Sequence, residues 1–104
     1  MTSLPSTMNA VVLQAPQQPV YTTLPVPPLE AGWVLLKVGA ASICGSDVLR
    51  VWHGHARVLP IVLGHECAGT VVAVGAGTDE KLIGRRFALI PLIPNLDSPI
   101  SAMG

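Results

Sequence analysis

Three side chains that bind zinc stand in two short segments of this sequence, Cys44-Gly45-Ser46-Asp47 and Gly64-His65-Glu66. Thiolate, imidazole and carboxylate are ligands that zinc readily takes, and a catalytic zinc uses three protein ligands and keeps one position open. Cys44 and His65 are 21 residues apart, so a fold must bring them together, unlike the close ligand pairs of a zinc finger. The residue types predict a catalytic metal site made of Cys44, His65 and Glu66.

Two further polar side chains have predicted roles beside these ligands. Asp47 follows Cys44 by three residues and could accept the second ring N–H of His65, which would fix the tautomer of the imidazole. Ser46 carries a hydroxyl that could pass a proton outward from a substrate alcohol. Such a site serves alcohol oxidation, because a Lewis acid lowers the pKa of the alcohol so that hydride can leave the carbon. Ser46 and Glu66 are therefore the predicted catalytic residues.

Each of these residues has a plainer interpretation when it is taken alone. A lone cysteine is most often a small buried hydrophobe, and a single His-Glu dipeptide is usually structural or solvated. Their occurrence together, beside Gly64, Gly69 and Gly75, which permit close backbone approach, favours the metal site. We interpret His53-Gly54-His55 as a solvated loop, and Cys67 as a core residue on the strand face opposite the adjacent glutamate.

Short strands separated by turns must position the two segments. Five strands are predicted, at residues 9–14, 21–24, 33–39, 68–74 and 86–90. The first two are expected to be either two separate strands or a hairpin, and the third to bury one face better than the other. Ser46 and Asp47 are suitable N-cap residues for a helix of at most two turns that Gly54 ends. Ten glycines and ten prolines among such strands favour a mainly β fold, a small and partly open antiparallel barrel.

Length and composition exclude several classes of protein. The chain has 104 residues, which is one domain with room for a modest core. Only 12% of the residues are charged, and six basic and six acidic residues balance to zero, so neither nucleic acid nor an anionic membrane is a predicted partner. The first eight residues show no targeting signal, and the apolar runs are too short to cross a bilayer. We expect a cytoplasmic protein with reduced thiols.

At the two metal-binding segments the sequence resembles a known family. Gly64-His65-Glu66-Cys67-Ala68-Gly69, followed by Gly75, is similar to the zinc-site signature of the medium-chain zinc-dependent alcohol dehydrogenases. Cys44-Gly45-Ser46-Asp47 is similar to the cysteine motif of their polyol branch, which includes sorbitol and related sugar-alcohol dehydrogenases. The resemblance covers about residues 8–94. It implies the GroES-like barrel that forms the catalytic domain of that family, with one or two short helices.

The resemblance also implies a set of functional residues. Cys44, His65 and Glu66 would bind one catalytic zinc per chain, since polyol-type members use the glutamate after the histidine. Ser46 would be the relay hydroxyl. Some members place a histidine five residues after the cysteine ligand, where this chain has Leu49, so the resemblance implies no relay residue beyond Ser46. The implied substrate is a small secondary alcohol or polyol, which the full-length family oxidises to a ketone with NAD(P).

The sequence departs from the family pattern near its end. Family members continue into a Rossmann domain, whereas the loop at Gly75-Ala76-Gly77 has Glu80 where the third glycine of a dinucleotide fingerprint should be. Many members carry a four-cysteine structural zinc lobe here, but residues 95–98 contain no cysteine, so no structural zinc is expected. We interpret residues 1–94 as the catalytic barrel and residues 95–104 as a divergent, loosely ordered tail.

The leading hypothesis is a truncated or separately encoded catalytic domain that is inactive alone, because binding and orienting the cofactor is the protein's contribution to such catalysis. The surface that packs on the nucleotide domain in the family would be uncovered, which predicts self-association. Two alternatives stay open. One is a non-catalytic barrel resembling a co-chaperonin, which has no use for converging ligands. The other is a pseudoenzyme that keeps zinc or a partner surface without catalysing a reaction.

Overall fold

A computed structural model describes residues 3–95 and 97–100 as two small antiparallel sheets and one α-helix. The strands are β1 (Thr7–Ala15), β2 (Gln18–Pro25), β3 (Val34–Ser42), β4 (Ile61–Val62), β5 (Glu66–Val74) and β6 (Arg86–Ala88). Helix α1 spans Gly45–Trp52, and a short 3-10 helix spans Glu80–Leu82. The strand orders are β2-β1-β4 and β3-β5-β6. The prediction of a mainly β, partly open antiparallel barrel with one or two short helices is confirmed.

The first two strands form a hairpin, one of the two predicted arrangements, and both are longer than predicted. β1 and β2 pair antiparallel, and Gln17 in their connection has a φ of 62°. This left-handed conformation reverses the chain within a short turn. The backbone N–H of Gln17 also donates a hydrogen bond of 2.7 Å to the carbonyl of Val51. The hairpin turn is thereby tied to helix α1.

Strands β3 and β5 form the longest ladder of the second sheet. They pair antiparallel from Val34 with Val74 to Ser42 with Glu66. Strand β5 begins at Glu66, two residues earlier than predicted. The ladder therefore continues to the edge of the predicted metal site.

The ladder contains two irregularities, and the burial of β3 differs from the prediction. A register shift falls between Leu35 and Leu36, and both of these neighbouring residues are half-buried, whereas Val34 and Val38 are exposed. The expectation of one better-buried face is therefore wrong, because each face of β3 carries one half-buried residue and its other residues are exposed. The extra residue at this shift is Val72 of β5, since Leu35 pairs with Ala73 and Leu36 with Val71. The second shift lies near Gly69, where a Cβ would collide with the carbonyl group of Lys37.

Helix α1 begins earlier than the sequence predicted. Cys44, not Ser46 or Asp47, is the N-cap residue, with φ −87° and ψ 155°. The backbone N–H of Cys44 donates a hydrogen bond of 3.0 Å to Asp47 Oδ2. Asp47 thus reaches back to the cap from the first turn, as the acidic member of a capping box does. The helix ends before Gly54 as predicted, and this glycine has a φ of 69°.

The core of the described residues is small. The buried apolar side chains are Ala10, Val12, Leu13, Val51 and Val71. Asp47 is the buried charged residue in this part of the chain, and only 6% of it is exposed. Much of the apolar content instead lies on the surface, since Ile43 and Ile90 are 85% and 78% exposed.

The last predicted segments are only partly described. Strand β6 ends at Ala88, two residues earlier than predicted, and the short strand β4 was not predicted. Half of the tail that was expected to be loosely ordered, Leu96 and residues 101–104 of 95–104, lies outside the described residues. Among the described helices, none has the length and apolar character that a membrane crossing requires.

Candidate metal centre

The end of the β3–β5 ladder brings the two motif segments together. Ser42 pairs with Glu66, so Cys44, two residues further on, lies near His65, which directly precedes Glu66. One ligand atom from each of Cys44, His65 and Glu66 lies within 4.8 Å of the other two. Over residues 3–95 and 97–100, this is the one cluster of three or more such side chains that could hold a metal ion.

The donor set and its spacing fit zinc. Bonds of about 2.0 to 2.3 Å in a tetrahedral site place the ligand atoms about 3.5 Å apart. A separation of up to 4.8 Å is therefore within the reach of small side-chain rotations. Cys44 and His65 are half-buried and Glu66 is exposed, so Glu66 has the most freedom to move towards an ion.

Asp47 lies against the imidazole of His65. Asp47 Oδ1 lies 3.3 Å from His65 Nδ1, which is the contact that the sequence predicted. With its ring proton on Nδ1, facing this carboxylate, His65 would keep the lone pair of Nε2 for a metal. The other carboxylate oxygen accepts from the backbone N–H of Cys44. One buried carboxylate therefore holds both motif segments.

Ser46 lies beside the candidate ligand nitrogen and contacts an arginine that sequence reasoning missed. Ser46 Oγ is 3.4 Å from His65 Nε2. Arg50 Nη1 donates to Ser46 Oγ at 2.8 Å and to Asp47 Oδ1 at 3.4 Å. Arg50 follows Ser46 by four residues and Asp47 by three, so all three side chains share one face of α1. This helical spacing was the signal that could have identified Arg50.

Ser42 is a second polar residue that the sequence analysis did not identify. Its hydroxyl donates a hydrogen bond of 2.8 Å to Glu66 Oε2. The contact depends on the cross-strand pairing of these two residues, which no local sequence pattern reveals. A carboxylate has two oxygens, so this bond holds Glu66 and leaves its other oxygen for a ligand role.

The remaining sequence interpretations concern residues outside this cluster. His53 and His55 are exposed, in agreement with a solvated loop. The interpretation of Cys67 as a core residue is wrong, because it is half-buried and is not among the buried apolar side chains. Both Cys67 and Cys44 are free cysteines. Gly64 has a φ of 101°, a left-handed value that favours glycine immediately before His65.

Comparison with known proteins agrees with the resemblance of the two motifs. The model of the alcohol dehydrogenase GroES-like domain matches residues 30–98. The sorbitol dehydrogenase of Bacillus subtilis (strain 168) is 39% identical, over 86% of this chain and 26% of its own length. The D-xylulose reductase of Saccharomyces cerevisiae is 36% identical, over 95% of this chain and 29% of its own length.

A solved structure extends this agreement to the fold. The crystal structure of the alcohol dehydrogenase RspB from Escherichia coli CFT073, complexed with NADH, superposes with a TM-score of 0.86. The two sequences are 32% identical, and the match covers 95% of this chain and 29% of that one. The chain thus spans less than a third of the length of these three relatives.

Proposed function

Because this chain belongs to the alcohol dehydrogenase GroES-like domain family, we propose that it is the zinc-binding catalytic domain of an NAD(P)-dependent polyol dehydrogenase. The observation that carries the proposal is the convergence of Cys44, His65 and Glu66 within 4.8 Å. The names of the relatives, sorbitol dehydrogenase and D-xylulose reductase, support a polyol or another small secondary alcohol as the substrate.

In this proposal Cys44, His65 and Glu66 bind one zinc ion per chain and leave a fourth position for the substrate hydroxyl. When bound, zinc supplies the Lewis-acid chemistry that lowers the pKa of that hydroxyl. Asp47 keeps His65 Nε2 directed at the cluster through its 3.3 Å contact with Nδ1. Ser42 orients the carboxylate of Glu66 through its 2.8 Å hydrogen bond.

Ser46 would relay the proton of the substrate hydroxyl in this mechanism, accepting it as its own hydroxyl proton passes to solvent. Its Oγ lies 3.4 Å from His65 Nε2, a proximity that supports a role beside the substrate hydroxyl. Arg50 donates to the same oxygen at 2.8 Å, so the hydroxyl hydrogen of Ser46 points away from the guanidinium. We assign no residue of this chain to NAD(P).

The proposal includes one zinc site, and no structural zinc, because the chain contains only two cysteines. We also propose that the protein acts in the reducing cytoplasm, since a thiolate ligand must stay reduced. The 104 residues alone are expected to show no NAD(P)-dependent oxidation of sorbitol or galactitol, because the cofactor must be bound and oriented for hydride transfer. Turnover by the purified chain would contradict that expectation.

Metal analysis of the purified chain tests the zinc site. After dialysis against zinc-free buffer, we expect about one zinc per chain, and less than a tenth of that in a Cys44→Ala variant. Cys67→Ala is the matched control, because it removes the other half-buried free thiol and should keep the metal. A folded chain without zinc would overturn the proposal, and a zinc-free heptamer would instead support the co-chaperonin-like alternative.

A further inference from the structure

A pocket of about 490 Å³ opens beside Ser46, between helix α1 and the loop that follows it. Arg50, His55 and Arg57 contribute basic groups to its wall, and Leu49 and Ile61 contribute apolar surface. Ser46 belongs both to this wall and to the surroundings of His65 Nε2. The pocket therefore continues directly from the candidate metal centre.

The ionisable side chains that line the pocket are all basic. No acidic residue lines it, although the chain as a whole has equal numbers of acidic and basic residues. Asp47, which contacts Arg50, is buried and also bonded to the backbone N–H of Cys44. Over the described ranges, Arg57 makes no ion pair with a carboxylate. Positive charge here is thus concentrated and incompletely neutralised.

We propose that this pocket binds an anionic end of the substrate, a phosphate or carboxylate group carried by a polyol. The inference rests on the proposed function, because it takes the reacting hydroxyl to lie at the Cys44-His65-Glu66 cluster. The carbon chain would pass Ser46 and lie against Leu49. Its terminal anion would meet the guanidinium of Arg57, whose planar donor geometry matches phosphate and carboxylate.

A comparison of how tightly neutral and anionic polyols bind to the chain tests whether the pocket prefers an anionic ligand. The measurement is isothermal titration calorimetry of the full chain after treatment with a chelator, so that anions bound to zinc do not contribute. Sorbitol, sorbitol 6-phosphate and gluconate are the three ligands. We expect one or both anionic ligands to bind at least about tenfold more tightly than sorbitol, and this preference should weaken in high salt. The tighter of the two identifies the anion as phosphate or carboxylate.

Two arginine variants locate the binding. Arg57→Gln should reduce the affinity for the preferred anionic ligand by about tenfold. Arg86→Gln is the matched control, because Arg86 is also exposed but lies on β6 of the other sheet, and it should leave the affinity unchanged. Both side chains are exposed, so both variants should keep the fold.

Three results would overturn the proposal: equal binding of sorbitol and both anionic ligands, equal loss in the two arginine variants, or inorganic phosphate binding as tightly as sorbitol 6-phosphate. The last would mean that the polyol chain contributes nothing. Because the titration uses the metal-free chain, its outcome is independent of the zinc analysis. A chain that lacks zinc but prefers the anionic polyols would contradict the proposed function while leaving the pocket's anion selectivity in place.

Discussion

Asp47 connects the two motif segments of the candidate site. It is 6% exposed, and its carboxylate contacts the backbone N–H of Cys44, Nδ1 of His65 and Nη1 of Arg50. A buried carboxylate is stable only when its oxygens are hydrogen-bonded. Asp47 therefore depends on these three partners, and their positions depend on Asp47. The position of the imidazole and the start of helix α1 therefore depend on one side chain.

Removing the charge of this side chain should weaken both folding and metal binding. We expect Asp47→Asn to lower the free energy of unfolding by about 1 to 3 kcal/mol, because a buried charge-assisted network is lost. Zinc affinity should fall by about 10- to 100-fold, as when a group that orients a ligand histidine is removed. Denaturant unfolding and competition with a zinc chelator measure the two effects.

Asp79→Asn is the control for this substitution. Asp79 is exposed and accepts the backbone N–H of Lys81 at 3.0 Å, a capping contact that asparagine can also make. Its substitution should leave zinc affinity unchanged. Equal zinc affinity in the two variants would contradict the role assigned to Asp47.

Residue types identified the centre of the site from sequence, but not all of its surroundings. Cys44, His65 and Glu66 were predicted as a cluster because their chemistry and motif are local, and the structure places them together. Arg50 was missed although its spacing of four residues from Ser46 and three from Asp47 is visible in the sequence. Ser42 was missed because its contact with the glutamate exists only through cross-strand register.

The β3–β5 ladder is the element that decides whether the two motif segments meet. Its final pair joins Ser42 to Glu66, and its register shifts set which residues stand opposite each other along the way. A shift by one residue would turn side chains to the other face of the sheet and separate the ligands. Gly69 supports this register, because its lack of a side chain allows the backbone at Lys37 to approach.

A methyl group at this contact should disturb the ladder. We expect Gly69→Ala to lower the free energy of unfolding by about 1 to 3 kcal/mol, because the backbone must move to accommodate the added atom. Gly39→Ala is the matched control on the facing strand, where the nearest atom to a new Cβ is the carbonyl oxygen of Ala68 at 3.8 Å. Chemical denaturation compares the two variants, and equal stabilities would contradict this account of the ladder.

The positions of most strands could be predicted from the sequence, whereas the register in which the strands pair could not. The alternation and turn residues located five of the six strands, because their signals lie within a few neighbouring residues. Strand β4 has only two residues, which is too short for a periodic pattern. The early start of α1 depends on the contact between Asp47 and the cap, and the register shifts between β3 and β5 depend on cross-strand pairing that no local pattern reveals.

The described part of the molecule combines a small core with an apolar surface. Few side chains are buried, while Ile90 and Ile93 are 78% and 91% exposed. Only 12% of the residues are charged, and the net charge is zero, so little electrostatic repulsion keeps copies of the chain apart. The composition predicted a surface with little charge, but the structure was needed to show where the exposed isoleucines lie.

This surface predicts self-association of the chain in solution. Sedimentation velocity over a range of protein concentrations should show species larger than the monomer, because association removes apolar surface from water. Ile90→Lys combined with Ile93→Lys should reduce the association by adding charge to this surface. A single monomeric species at every concentration would contradict the prediction.

The central claim is that one thiolate, one imidazole and one carboxylate of this chain bind a zinc ion. X-ray absorption spectroscopy of the zinc-loaded chain tests it most directly, because the method reports the type of ligand atom and its distance from the metal. The account predicts one sulfur at about 2.3 Å, the remaining ligands being nitrogen or oxygen at about 2.0 to 2.2 Å, and no sulfur in a Cys44→Ser variant. Two sulfur ligands, which would bring in Cys67, or none in the unmodified chain, would contradict it.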